Sequence, residues 1–206
     1  TIEHGTSGGK TVTMAGFIKH VGLSALMLVD QAWLMEQTAN EWAIWLDQPV
    51  GKLGGGYKRD KLKDTTVVCA TFQSITAWMK ADRAGCEAFL AEFDILLVDE
   101  AHHLQAETYQ RAADRCPAYF RVAFSATAFK SAGKKTKAEN FDARTKMHVT
   151  GTAGPIVHQY SAGDLADDGW VVPAHIVMWN WRKPTWWPRY KDEPTDFDIN
   201  DDFHEW

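Results

Sequence analysis

ILLVDEAHH, residues 95–103, is the stretch on which the fold turns: four apolar residues run into two acids, and Ala-His-His follows at once. A short apolar run without polar alternation fits a strand buried on both faces of a parallel sheet. In such sheets ligands gather outside the carboxyl ends of the strands, where Asp99 and Glu100 fall. An acid pair at that edge suits phosphoryl chemistry. Asp99 can hold a Mg²⁺ that bridges phosphates, and Glu100 can orient and deprotonate an attacking water. A strand that merely ends in solvated acids is the plain alternative, so the neighbouring segments decide.

Upstream lies HGTSGGKT, residues 4–11. Glycines let backbone N–H groups converge on phosphate oxygens, and the helix that follows offers its positive N-terminal end. Gly5, Thr6, Ser7, Gly8 and Gly9 would form the cradle, Lys10 would reach the β- and γ-phosphates, and the Thr11 hydroxyl would hold Mg²⁺. The strict pattern asks for a glycine where His4 stands, so alone this turn is a weak match. Downstream comes FSAT, residues 124–127, a third strand running into small hydroxyl residues. Ser125 and Thr127 are placed to bond the acidic motif. Three such motifs in this order, each at the end of an apolar strand, make a joint signal that none makes alone.

The rest of the chain agrees with an α/β reading. Helical spacing covers 11–22 and 32–46, with Leu34, Trp42, Trp45 and Leu46 available for a core face, and strand-like runs cover 24–30, 66–72, 94–100 and 121–127. Helices are expected through 81–91 and around 105–114, a glycine-rich turn at 51–60, and further strands at 148–160 and 171–179. A short helix capped by Ser161 should lie between those last two. Strands alternating with helices indicate parallel strands joined by right-handed crossovers. The composition, 45% hydrophobic and 24% charged, is globular. Three scattered cysteines argue against a zinc site or a disulfide framework and suit a reducing compartment. No apolar stretch approaches the ~20 residues that cross a bilayer, and no signal-peptide pattern opens the chain. The expected location is therefore cytoplasmic, with no membrane partner. A net charge of −5 leaves any polyanion binding to a local groove.

With these motifs in place, the sequence resembles the first RecA-like domain of superfamily 2 helicases and translocases. The resemblance is strongest to the DEAH-type DNA helicases that include phage and restriction-enzyme motors. HGTSGGKT resembles motif I, DEAHH motif II and SAT motif III. LVDQAWLMEQ resembles motif Ia, VVCATFQSI the "TYQS" segment, and GPIVHQYSAGDLADDGWVVP the strand–helix–strand that closes the lobe. The resemblance implies a three-layer RecA-like P-loop NTPase domain over 1–178, with a mostly parallel central sheet and a linker or tail over 179–206. It implies ATP and Mg²⁺ as ligands, catalysis by Glu100 and Lys10, and metal binding by Thr11 and Asp99. His102, with Ser125 and Thr127, would couple the ATP site to nucleic acid, with DNA favoured. Gln37, Lys52, Thr71 and Gln73 would lie on the nucleic-acid side. A second RecA-like lobe would complete the enzyme.

Departures are visible too. Motif Ia commonly reads Pro-Thr-Arg, whereas Asp30, Gln31 and Ala32 stand here, removing an arginine and adding a carboxylate. The glycine turn reads SGG rather than GSG, and Ala128 replaces a proline after SAT. Lys52, Lys58 and Arg59 around the GKLGGGY turn suit either a phosphate contact or a solvated surface. The basic loop Lys130, Lys134, Lys135 and Lys137 reads better as solvated. The cluster Trp179, Trp181, Trp186 and Trp187 reads better as packing than as base stacking. Arg111, Arg115, Arg121 and Arg144 all fall in the first lobe, so the segment alone is expected not to unwind duplex or to hydrolyse ATP at a helicase rate. The rival class is a truncated ATP- or DNA-binding module without turnover. A small-molecule kinase is disfavoured, because it needs no coupling motif after the acids.

Overall fold

The computed structural model describes residues 1–5, 8–58, 62, 65–126 and 138–172, and of residues 105 and 138–145 the backbone. Thr6, Ser7, Arg59, Thr127, Ala128, the basic loop and everything from residue 173 onward lie outside that set, including the tryptophan cluster and nearly all of the strand expected at 171–179.

The sheet of the described residues has seven strands: β1 (Ile2–His4), β2 (Ala25–Val29), β3 (Val50–Leu53), β4 (Val67–Thr71), β5 (Ile95–Asp99), β6 (Phe120–Ser125) and β7 (His158–Tyr160). They run in the order β3-β4-β2-β5-β6-β1-β7, and every pairing is parallel. Parallel neighbours need crossovers, and α1 (Lys10–Val21), α2 (Ala32–Leu46), α3 (Phe72–Ala81), α4 (Arg83–Leu90), α5 (Glu107–Asp114) and α6 (Ala138–Ala153) lie between strands, while α7 (Ala162–Asp167) follows β7.

Strands β2, β4 and β5 are buried at every position, as continuous apolar runs must be when helices cover both faces. Their side chains alternate between two cores. Leu26, Leu28, Val68, Leu96 and Val98 pack with Phe72, Ile75, Leu90 and Ala112 of α3, α4 and α5. Met27, Val29, Cys69, Ile95 and Leu97 pack with Met14, Ile18, Met35 and Trp42 of α1 and α2. This is the three-layer α/β architecture expected from the sequence. Cys69, Cys86 and Cys116 are buried.

Two fully buried or polar anchors set the helices. Trp42 is wholly buried and its Nε1 donates to the Thr11 carbonyl at 3.0 Å, tying α2 to the first turn of α1. Arg121 on β6 donates to the carbonyls of Thr152, Cys116 and Ala113 at 2.7, 2.5 and 2.9 Å, so it staples α5 and α6 to the sheet.

Several expectations need correction. Residues 148–153 continue α6, and only His158–Tyr160 of the expected strand is extended. The run HVTGTAG carries β-branched residues, yet Val149 and Thr152 are buried and Ala153 nearly so, which fits a helix packed on the core. The helix expected through 81–91 is α4, and a further helix, α3, precedes it; Thr71 and then Asp82 cap the two successive starts, accepting from Ser74 N and Gly85 N. Val50–Leu53 forms edge strand β3, although 51–53 falls in the expected glycine-rich turn. Strand β1 was not anticipated: three residues are too short for a pattern. Trp45 stays 52% exposed, so the core face of α2 runs through Met35, Ala39 and Trp42. The Ser161 cap is present as a full capping box with Asp164.

Candidate nucleotide-binding site

The glycine turn joins β1 to α1 at the carboxyl edge of the sheet. Gly9 is the N-cap of α1, with φ +72°, a left-handed conformation open to glycine at little cost. Close approach explains the two glycines before it. A Cβ on Gly8 would lie 2.9 Å from the Gly5 carbonyl, and one on Gly5 would lie 2.8 Å from the Ala162 backbone N. The turn is braced from outside: Gly5 N donates to Tyr160 O at 2.9 Å, and His4 Nδ1 lies 3.1 Å from Gly8 O. No side chain caps the first amides of the twelve-residue α1, and its first turn carries no acid. Uncapped amides and bare glycine backbone are what an anionic phosphate chain would require.

Across from this turn, β5 ends at Asp99 and the chain folds into a 3₁₀ turn, Ala101–Gln105. Glu100 sits at the junction with φ +53° and ψ +65°, a left-handed conformation that costs a non-glycine residue on the order of 1–3 kcal/mol. The strain turns its carboxylate into a set of three donors. Lys10 Nζ lies 3.3 Å from Oε1, while His102 Nδ1 and Ser125 Oγ each lie 3.2 Å from Oε2. His102 Nδ1 is also 3.4 Å from Ser125 Oγ. The His102 hydrogen bond, aided by the Lys10 charge, overcomes burial and holds the Glu100 carboxyl down at about 2. Its neighbour moves the other way. Asp99 is 7% exposed, and burial together with the adjacent Glu100 charge raises its pKa. Glu100 N donates to Asp99 Oδ1 at 3.0 Å. A buried carboxylate short of positive charge is a fitting ligand for a cation, and Asp99 with Thr11 are the residues that could hold Mg²⁺.

The sequence-derived residues thus divide. Lys10, Glu100, His102 and Ser125 come together; Asp99 adjoins them, and Gly5, Gly8 and Gly9 build the cradle. Thr6, Ser7 and Thr127 lie outside the described residues. Thr11 is half-buried in the first turn of α1.

The four residues expected on the nucleic-acid side are dispersed. Gln37 bonds Glu41 at 2.9 Å along α2, and Lys52 bonds Asn40 at 2.6 Å while lying 5.1 Å from the Tyr57 ring centre. Thr71 is buried and serves as the cap of α3. Gln73 alone joins a cluster, donating to Asp30 Oδ1 at 2.9 Å. Tyr109 OH donates to the same oxygen at 2.7 Å, and His103 Nε2 lies 4.0 Å from Asp30 Oδ2. Tyr109 is not legible in the sequence because an isolated tyrosine on an amphipathic helix carries no signal, and His103 has only its place beside His102 in the Ala-His-His run. The one available hint was the carboxylate at position 30.

Comparison with known proteins places this arrangement. The family described as "Type III restriction enzyme, res subunit" (ResIII) matches residues 1–130. The DNA 3'-5' translocase XPB2 of Sulfurisphaera tokodaii is 29% identical over 161 residues, 78% of this chain and 32% of that protein. The chain therefore spans about a third of the length of that curated relative. Among solved structures, the UvsW helicase of bacteriophage T4 superposes with a TM-score of 0.57 at 18% identity, covering 76% of this chain and 53% of that one. The type ISP restriction-modification enzyme LlaGI, solved with a DNA substrate mimic, gives a TM-score of 0.57 at 17% identity, covering 82% of this chain and 18% of that one. These likenesses establish the fold as the RecA-like domain of superfamily 2 helicases. The chain belongs to the ResIII family.

Proposed function

We propose that this chain is the ATP-binding lobe of an ATP-dependent helicase or translocase that acts on DNA, hydrolysing ATP when paired with a second RecA-like lobe. The observation that carries the reading is the meeting of Lys10, His102 and Ser125, from three motifs, on the Glu100 carboxylate, with Lys10 90 residues before it and Ser125 25 residues after it. The XPB2 and UvsW likenesses favour a motor, and the DNA named for XPB2 and LlaGI favours DNA as its track.

In this reading the amides around Gly8 and Gly9 and the start of α1 hold the triphosphate, and Thr6 and Ser7 extend the cradle. Lys10 leaves Glu100 for the β- and γ-phosphates, since a phosphate chain offers it more negative charge than one carboxylate. Thr11 and Asp99 would hold Mg²⁺, which would supply charge neutralisation to the triphosphate. Glu100, relieved of Lys10, orients and deprotonates the attacking water. His102 and Ser125, with Thr127, register that change and pass it toward the nucleic-acid side. The lobe is residues 1–178, with 179–206 leading toward the second lobe, and the setting is the cytoplasm.

The test is binding of a fluorescent ATP analogue with Mg²⁺ to the 206-residue chain and to Lys10→Ala. Loss of one charge-assisted contact should weaken binding by roughly 10- to 100-fold. Equal affinity in a folded Lys10→Ala protein overturns the assignment.

A further inference from the structure

His4 stands where the strict phosphate-loop pattern has a glycine, so it brings a side chain where that pattern supplies none. It ends β1, it is 8% exposed, and its imidazole turns back onto the loop that follows. Nδ1 lies 3.1 Å from the Gly8 carbonyl oxygen, and a Cβ on Gly8 would lie 3.4 Å from the His4 Cβ. The rings of His158 and Tyr160 on β7 meet the imidazole edge-on, with centroids 5.1 and 6.1 Å away, and limit its rotation. His4 Nε2 is buried and has no hydrogen-bond partner among the described residues.

These contacts select one form of the ring. Burial above all, and then the neighbouring His158, lowers the pKa of His4 below the ordinary 6.5, so the imidazole is neutral at pH 7 and carries one N–H. With the hydrogen on Nε2, a buried donor would have no acceptor and the Nδ1 lone pair would face the lone pairs of the Gly8 carbonyl. With the hydrogen on Nδ1, the carbonyl gains a donor and only a ring lone pair stays unpaired, which is the cheaper outcome. That bond sets more than one oxygen. The Gly8–Gly9 peptide is trans, so its C=O and its N–H point in opposite directions. Held by His4, the Gly8 carbonyl turns the Gly9 N–H away from the imidazole, at the exposed N-cap of α1, where nothing lies within 4 Å of the place a Gly9 side chain would take. The Gly8 N–H is fixed as well, donating to Gly5 O at 2.9 Å. We propose that His4, as its Nδ1–H tautomer, is a positioning residue of the phosphate loop: it locks the Gly8–Gly9 peptide so that the Gly9 amide is preset to donate to the phosphate chain of the nucleotide. With glycine at position 4, the ligand itself would have to order that peptide, at a cost in affinity. The inference rests on the nucleotide-site reading above.

The test compares two amide substitutions in the full 206-residue chain by titration with the fluorescent ATP analogue and Mg²⁺. An asparagine amide nitrogen falls where Nδ1 lies, whereas a glutamine amide reaches to the place of Nε2, so only His4→Asn can still donate to Gly8 O. His4→Gln should weaken binding about three- to tenfold, the worth of one hydrogen bond, and His4→Asn by less than about twofold. Should the glutamine protein not fold, His4→Ala, which carries no donor, takes its place with the same expectation. Long-range proton–nitrogen correlation spectra of the parent give a second readout, with the His4 hydrogen expected on Nδ1. Equal affinities for His4→Asn and the variant without the donor, or a His4 ring protonated on Nε2 alone, overturn the inference while parent binding leaves the nucleotide site standing. Failure of the parent to bind the analogue overturns both.

Discussion

Glu100 and Asp30 stand at the same edge of the same sheet, each a carboxylate facing donors from separate segments, and they are built differently. Glu100 is held by strain and by charge: a left-handed backbone, a lysine at 3.3 Å and a histidine at 3.2 Å. Asp30 is held by neutral donors on relaxed elements, the nearest being Tyr109 and Gln73. Stored strain and a paired charge are what a residue needs when it must change partners as a ligand arrives. The two clusters touch through His102 and His103, so a change at one is felt at the other over a single ring contact.

The largest effect should come from the acid with a chemical task. Whatever ATPase rate the purified chain shows, Glu100→Gln should lower it by roughly 10²- to 10⁴-fold, the usual worth of a general base. Binding of the ATP analogue with Mg²⁺ should persist, because the amide still orients water but takes no proton. A parent-like rate in a coupled assay removes Glu100 from its role and makes the two carboxylates equivalent. Next in size is the cradle that only the Glu100 side possesses. Gly8→Ala presses a methyl to 2.9 Å from the Gly5 carbonyl, an overlap with backbone that should cost about 1–3 kcal/mol in chemical unfolding. Analogue affinity should fall with it. Unaltered stability and affinity would mean the turn yields easily and is not braced by α7.

Smaller effects separate structural from ligand-facing residues on the Asp30 side. Thr71→Ala removes the cap that Ser74 N uses and should destabilise by about 1 kcal/mol. Weaker DNA binding with unchanged stability would return Thr71 to the nucleic-acid face. The smallest effect is one of pH. Glu100 falls from an ordinary 4.5 to about 2 on folding, so its pairing stabilises fully above about pH 4.5 and is lost as pH drops toward 2. Asp99 is raised and works in the opposite sense, favouring the fold more below its unfolded pKa than above. The stability difference between parent and Glu100→Gln, from urea unfolding at stepped pH, should therefore shrink between pH 4.5 and 2. A difference flat across that range would show that Glu100 is not paired as described.

Sequence letters were enough for β2, β4, β5 and β6, for α1 and α2, and for the pairing of a phosphate turn with an acid-ended strand. The reason is local. A run such as ALMLV or ILLVD must be buried on both faces wherever it lies, and a residue that follows its strand directly is delivered to the sheet edge with it. Thus Lys10, Asp99, Glu100 and Ser125 could be named from spacing and chemistry before any coordinates, and His102 from the family resemblance that DEAHH carries. Strand order, the course of α6 and the bracing of Gly5 by Tyr160 and Ala162 depended on which segments lie beside one another, and no local pattern encodes that. The same holds for the Asp30 cluster. Gln73 is 43 residues from Asp30 and Tyr109 is 79, and their hydrogen bonds exist only because the crossovers set β2, β4 and β5 side by side. Burial is written into each residue's own hydropathy, whereas a hydrogen bond between distant segments needs two partners whose separation is fixed by everything packed between them.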